Sequence, residues 1–322
     1  MDRRSVLGAG VVLGAAVAVR PAAARAAEGP VAVSEADLAA ARALFAAGAY
    51  DRLGRLLPPL LDRAEHGVRS GPAGAARAAG AWVLASQLAV KQSRTGSAGA
   101  YAALAGAAAR RSGNAVVLAS SARAAATPLR RTGRAHEALT LLKEAHAHLT
   151  AVSRPSAAEL DAAGMVALTA AYTAAQAHRG AAARDFADEA EEMALRLARH
   201  PHGGRPSQLS AGQCVLYRIG IHRHLGDVDT ALAHAARLDP QALPTAERRA
   251  RAATDTARTL LDAGDPAGAF AQLRLVELAA PGEARRPSVR ALTAEVAEAR
   301  PGLPGLDSYA RRTAPGSKPS SW

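Results

Sequence analysis

Past Ser34 the chain alternates between stretches where apolar residues recur every three or four positions and short breaks that carry glycine. The stretch after Gly180 shows the pattern. Phe186, Ala190, Met193, Ala194 and Leu197 fall on one helical face, and Asp185, Asp188, Glu189 and Glu192 fall on the other. The acidic run ARDFADEAEE therefore reads as a solvated helix face rather than a metal site. Val, Ile and Thr do not gather into alternating runs, so no strands are predicted and the chain reads as all-α. Glycine-bearing turns fall at Gly48, Gly96, Gly133, Gly180, Gly226 and Gly264, spaced by 48, 37, 47, 46 and 38 residues. A period near 40 predicts stacked helical hairpins, because one hairpin cannot bury its own apolar face. The breaks SGPAG (70–74), SRPS (153–156) and RHPHGGRPS (199–207) read as loops between units, and TAPGSKPSSW (313–322) as an unfolded, disordered tail.

The spacing within each unit adds detail. After Gly264 come Ala269, Leu273, Val276 and Pro281, at offsets 5, 9, 12 and 17. After Gly133 come Ala138, Leu142 and Ala145, and after Gly226 come Ala231, Ala235 and Leu238, at the first three of those offsets. This resembles tetratricopeptide repeats, which have a turn glycine, a small residue where two helices touch, and apolar positions along the second helix. The Gly180 unit aligns when shifted by two residues, onto Ala187, Glu191 and Ala194. The Gly48 and Gly96 units depart from the pattern, with Leu53 and Tyr101 where a small residue is expected. The expected fold is a tetratricopeptide-like α-solenoid of stacked helical hairpins over residues 34–312.

The resemblance also implies a ligand face on the first helix of each hairpin, 13, 10, 6 and 3 residues before the turn glycine. Those positions are Ser120, Arg123, Thr127 and Arg130; Gln213, Leu216, Gly220 and Arg223; and Arg251, Thr254, Arg258 and Leu261. The shifted unit gives Thr169, Tyr172, Gln176 and Arg179. The candidate ligand-binding residues are Arg123, Arg130, Tyr172, Gln176, Arg223, Arg251 and Arg258. Guanidinium groups there suit the carboxylates of a peptide or protein partner. The competing reading is that these arginines are solvated, or paired with Asp255 and Glu247.

Composition narrows the chemistry. Hydrophobic residues make up 49% of the 322 residues, but aromatics only 3%, and alanine dominates. Alanine favours helix and lets helices approach closely. The net charge of +12 would suit an acidic partner, yet the arginines are scattered and interleaved with acids, so direct nucleic-acid binding is not expected. The lone Cys214 allows no internal disulfide and no cysteine metal cluster, and its apolar context reads as a buried small hydrophobe. Of the His-x-His pairs, His146/His148 and His222/His224 point apart on helices; His200/His202, in a Pro/Gly loop, could converge but has no Cys, Asp or Glu close by. No nucleophile elbow, phosphate loop or zinc-protease motif is present, so neither an enzyme, a metal site nor a cofactor is predicted.

The opening MDRRSVLGAGVVLGAAVAVRPAAARAAEG carries Arg3 and Arg4, then an uncharged apolar stretch, Val6 to Val19, of 14 residues. That is short of the roughly 18–20 needed for a membrane span. With Ala24-Arg25-Ala26 behind it, residues 1–27 resemble a twin-arginine signal. Nearer the other end, LPTAERRAR from Leu243 to Arg251, then Asp255, Ala257 and Arg258, with Ala280-Pro281-Gly282-Glu283 and Arg286-Pro287, resemble the C-terminal repeat region of actinobacterial Xre-type helix-turn-helix transcriptional regulators. In that family a DNA-binding domain precedes the repeats, and the 33 residues ahead of Ser34 are too few for one. The resemblance therefore implies a regulatory, partner-binding array without DNA recognition. Such regulators often carry a similar Arg-Arg, Ala/Gly-rich linker, so residues 1–27 read either as an export signal or as a linker. Two functions follow: a non-enzymatic helical-repeat protein that binds a peptide or protein partner, or an exported binding protein using the same groove outside the cytoplasm. A homodimer is compatible with either.

Overall fold

The computed structural model describes residues 32–200 and 207–316. The signal-or-linker segment 1–27, most of the 199–207 loop and residues 317–322 of the tail lie outside the described residues. The chain divides into two units, Met1–Val31 and Ala32–Trp322, and the fold is that of the second.

Six helical hairpins follow one another. They pair α1 (Glu35–Ala46) with α2 (Tyr50–Gly67), α3 (Gly71–Lys91) with α4 (Thr95–Ser112), and α5 (Ala115–Arg131) with α6 (Ala135–Thr150). The next three pair α7 (Ala157–Gln176) with α8 (Gly180–Ala198), α9 (Ala211–His224) with α10 (Val228–Arg237), and α11 (Ala246–Asp262) with α12 (Pro266–Ala279). The shorter α13 (Pro281–Ala284), α14 (Pro287–Ala299) and α15 (Leu306–Arg312) complete the unit. No strand occurs among the described residues. This is an all-α, tetratricopeptide-like array of stacked hairpins.

One backbone device makes all six hairpin turns. A residue in the left-handed region ends the first helix: Gly48, Ser93, Gly133, His178, Gly226 and Gly264, with φ of 69°, 59°, 76°, 54°, 80° and 79°. The next residue's N–H then bonds back to a carbonyl five positions earlier. Ala49 bonds to Leu44, Arg94 to Ala89, Arg134 to Leu129, Arg179 to Ala174, Asp227 to His222 and Asp265 to Leu260, all at 2.8–2.9 Å. These bonds satisfy carbonyls that a helix end would otherwise leave open.

The device corrects the repeat register. Gly96 and Gly180 do not make their turns; they lie in the first turns of α4 and α8, and Ser93 and His178 hold the left-handed positions. Counted from Ser93, offsets 5, 9 and 12 give Ala98, Ala102 and Ala105; counted from His178 they give Ala183, Ala187 and Ala190, all buried. The fourth unit is thus offset two residues backward from Gly180, not forward onto Glu191. In the first unit Leu53, Leu57 and Leu60 fill the same buried positions. SGPAG is also not a loop. Gly71 begins α3, with Pro72 in its first turn, where its missing N–H costs no helical hydrogen bond. In the tail, Thr313 is buried and its hydroxyl donates to the Tyr309 carbonyl at 3.0 Å.

The first helices of the hairpins pack in succession, α1 on α3, α3 on α5, α5 on α7, α7 on α9 and α9 on α11, and α11 meets α1 again. The inner row therefore turns back on itself. At this closure the α1–α2 turn meets α13 so tightly that a Cβ on Gly282 would lie 2.1 Å from the Gly48 carbonyl oxygen. Lys91, Glu247, Glu283 and Tyr50 are buried beside it.

Candidate functional site

Three groups of side chains converge inside the row. The first comes from α5, whose start is capped by the Asn114 carboxamide oxygen, which accepts from the N–H groups of Val116 and Val117. Arg123 and Arg130 lie seven residues apart, on one face, roughly 10 Å along the helix. Arg123 Nε donates to Thr169 Oγ1 at 3.2 Å, and another of its N–H groups donates to Gln208 Oε1 at 3.4 Å. Arg130 donates to Thr173 Oγ1 at 2.9 Å and to Thr127 Oγ1 at 3.0 Å. The acceptor hydroxyls are themselves fixed, because Thr169 donates to the Met165 carbonyl and Thr173 to the Thr169 carbonyl. Their lone pairs are left facing the guanidinium groups. Both arginines are thus oriented by neutral oxygens, and neither has a carboxylate within ion-pair distance among the described residues.

The second group forms the floor. Tyr172 of α7 and Tyr217 of α9 meet edge to face, with ring centroids 6.3 Å apart. Gly220 makes this possible, since a Cβ there would lie 2.6 Å from Tyr172 Cε2. The Tyr172 hydroxyl lies 3.0 Å from His224 Nε2, and Gln176 Nε2 lies 3.3 Å from the same nitrogen. Burial, then the like charge of Arg223, lowers the pKa of His224 to about 4, so its ring is neutral at neutral pH and can accept the Tyr172 proton.

The third group comes from α11, where the Thr245 hydroxyl caps the first turn. Arg248, Arg251 and Arg258 follow. Arg251 stacks over Tyr217 at 4.2 Å and over Tyr172 at 5.7 Å, and Arg130 reaches the Tyr172 ring from α5 at 5.4 Å. Asp255 serves two arginines, Arg251 at 3.4 Å and Arg258 at 3.2 Å.

Positive charge dominates the slot. Burial lowers the pKa of Arg123, Arg130 and Arg131; Tyr217 and Tyr172 act against it at the first two, and the like charges of Arg248 near Arg123, Arg251 near Arg130, and Arg286 and Arg258 near Arg131 add to it. Tyr217 reports the field. Burial raises a phenol's pKa, but Arg251, Arg248 and Arg123 overcome it and bring Tyr217 down to about 6. Tyr172, with Asp255 nearby, is shifted the other way, first by burial.

Six of the seven candidate residues meet here: Arg123, Arg130, Tyr172, Gln176, Arg251 and Arg258. Arg223 sits at the edge, with Nε 2.6 Å from Asp262. The pairing alternative holds for Arg251 and Arg258, which share Asp255, but Glu247 pairs with Lys91 and Arg248 instead. Tyr217, Arg248 and His224 fall outside the predicted offsets although they complete the site. Their helices supply them from adjoining positions on the same face, a signal the fixed offsets pass over.

Other candidates resolve differently. Cys214 is buried, and burial pushes its thiol up to about 12. The acidic face of α8 is only partly solvated, since Asp188 and Glu191 both pair with Arg218 of α9. His222 lies 3.2 Å from Asp227, while His224 belongs to the slot. No group of three or more His, Cys, Asp or Glu suited to a metal occurs among the described residues. No helix among them is long and apolar enough to cross a membrane. A separate cleft of about 460 Å³ lies between α4, α5 and α6, lined by small residues with Leu118, Leu129 and Leu141 and by Arg110 and Arg134, and by none of the candidate arginines.

No family model matches the chain, and no curated protein matches it. Among solved structures, the chain overlays on one titled "Crystal structure of APC/C hetero-tetramer Cut9-Hcn1", with 10% identity, a TM-score of 0.39, and coverage of 86% of this chain and 55% of that one. The chain thus spans little more than half the length of that structure's chain.

Proposed function

We propose that this chain is a non-enzymatic binding protein whose inner slot takes an acidic segment of a peptide or protein partner, in a regulatory role akin to the effector region of Xre-type regulators. The observation that carries the reading is the meeting of Arg130 of α5 and Arg251 of α11 over the Tyr172 ring, with Asp255 as the carboxylate shared by Arg251 and Arg258. Like charges held opposite one another repel, and an anionic segment between them removes that cost. A fluorescent glutamate-rich peptide tests it. The wild-type chain should bind the peptide in a salt-dependent manner, and Arg130→Glu with Arg258→Glu should abolish binding while helicity and melting are retained. Unchanged affinity in that variant refutes the reading.

A second reading places the same slot outside the cytoplasm. It rests on Arg3, Arg4 and the uncharged stretch from Val6 to Val19. Residues 1–40 fused to a reporter that must be exported folded decide it. Export that is lost on Arg3→Lys with Arg4→Lys supports this second reading, and a reporter retained inside the cell contradicts it.

A further inference from the structure

Arg123 and Arg130 differ from every other arginine of the slot. Each is enclosed by protein yet partly solvent-accessible, and each gives two N–H donors to neutral oxygens, with Arg123 also within hydrogen-bonding reach of Tyr217. Arg251 is stacked on two rings and gives one N–H to a carboxylate that it shares with Arg258. These three guanidinium groups lie together around the Thr169, Tyr172 and Tyr217 side chains. Hydroxyls and rings orient them, Asp255 pairs with Arg251, and Tyr217 is the acidic group that acts on Arg123 and Arg251.

The spacing is regular as well. Arg123 and Arg130 are seven residues apart on α5, as Arg251 and Arg258 are on α11. Each pair spans roughly two helical turns, about 10 Å, and the two helices come together where Arg130 and Arg251 both lie over the Tyr172 ring. A carboxylate offers two coplanar oxygens, which a single arginine can serve bidentately. A phosphoryl group offers three oxygens in three directions and close to two charges at neutral pH. Donors converging from two walls onto one narrow slot match the second arrangement better than the first.

We infer that the slot between α5 and α11 binds a compact phosphoryl polyanion, gripped by Arg123, Arg130 and Arg251 above the Tyr172 and Tyr217 rings. This rests on the slot being the chain's binding face and names the chemistry that occupies it. The phosphoryl chain can be free or part of a nucleotide. The depressed Tyr217 phenol agrees with the positive charge of Arg251, Arg248 and Arg123 around it.

Calorimetric titration of the full chain with tripolyphosphate, ATP and citrate tests the inference. Tripolyphosphate should bind at a single saturable site at least about tenfold more tightly than citrate. ATP binding more tightly than tripolyphosphate assigns the source to a nucleotide; the reverse assigns it to a free polyphosphate. Arg123→Gln with Arg130→Gln should weaken phosphoryl binding by about a hundredfold, since each charge-assisted contact accounts for tenfold or more. Arg123→Lys with Arg130→Lys keeps the charge, loses the fork, and should give an intermediate loss. The exposed pair Arg110→Gln with Arg111→Gln on α4 should change nothing. Equal affinity for citrate, equal loss in the α4 variant, or no saturation overturns the inference. If the glutamate-rich peptide binds and tripolyphosphate does not, the phosphoryl assignment alone falls. If neither binds, the slot itself is not the binding face.

Discussion

Lys91, at the end of α3, donates to Glu283 of α13 at 2.7 Å across 192 residues of sequence, and the same ammonium donates to Glu247 at the start of α11. Glu283 also accepts from the Tyr50 hydroxyl and, at 2.6 Å, from Arg286, and it has no exposed surface. Lys91 lies over the Phe45 and Tyr50 rings, at 5.5 and 5.8 Å. One buried cation therefore ties the first two hairpins to the last elements, and this closure sets α11 opposite α5. The Lys91 charge helps hold both glutamates below the usual carboxylate range, against burial that would raise them.

Lys91→Met should destabilise the chain by about 3–5 kcal/mol, because two buried carboxylates lose their shared partner. Adding Glu247→Gln and Glu283→Gln should not recover that loss, since Arg248 and Arg286 would then lose the carboxylates they pair with. Urea denaturation followed by circular dichroism reads both effects. A loss under about 1 kcal/mol for the single variant would mean that the closure does not depend on this cluster.

Gly220→Ala should cost about 1–3 kcal/mol, the usual penalty for overpacking a filled site. The new Cβ would meet Tyr172, which is held on its other sides by Arg130, Arg251 and His224. The Tyr172 ring must shift, so peptide affinity should fall along with the melting temperature. Full affinity in the folded variant would separate Tyr172 from the binding face.

Ser93 and His178 carry the left-handed backbone that glycine supplies at the other four turns. An L-residue pays about 1–2 kcal/mol there, offset in part by glycine's greater freedom in the unfolded chain. Ser93→Gly and His178→Gly should each stabilise the protein by about 0.5–1 kcal/mol. Thermal melts of the two variants check this, and destabilisation by either would contradict the shared turn geometry.

Tyr217 should titrate as a tyrosinate near pH 6 in the native protein, against an ordinary phenol near 10. The folded pKa is the depressed one, so the unfolded chain binds more protons between pH 6 and 10. The group's contribution to stability is complete above about pH 10 and is lost as pH falls through 6. The near-ultraviolet tyrosinate band of the wild type, minus that of Tyr217→Phe, reads the midpoint. A midpoint near 10 would show that the three arginines do not act on this phenol.

The helical pattern was legible because alanine-rich faces repeat at three- and four-residue steps whatever lies beyond them. The second-helix positions after Gly133 and Gly264 could be read from spacing alone, since each includes Ala or Leu at a contact that tolerates little else. The units at Ser93 and His178 depart from the glycine register for a local reason. The conspicuous glycines nearby, Gly96 and Gly180, begin the next helix, and the turn is made by residues with no sequence signature for it. The slot was legible in part, because Arg123, Arg130, Arg251 and Arg258 share a face by simple periodicity. The closure through Lys91 was not. It joins residues 156 and 192 positions apart, and no local spacing encodes which distant acids meet a given lysine. Tyr217 carries no local signal either, since its surroundings come from α5 and α11 together.

The most direct test of the inner slot is hydrogen exchange on the full chain with and without saturating glutamate-rich peptide. Protection should rise in α5 (Ala115–Arg131), α7 (Ala157–Gln176), α9 (Ala211–His224) and α11 (Ala246–Asp262), and α4 and α6 should be unchanged. Protection confined to α4, α5 and α6, around the apolar cleft, with α7, α9 and α11 unchanged, would contradict the assignment of the arginine slot as the binding face.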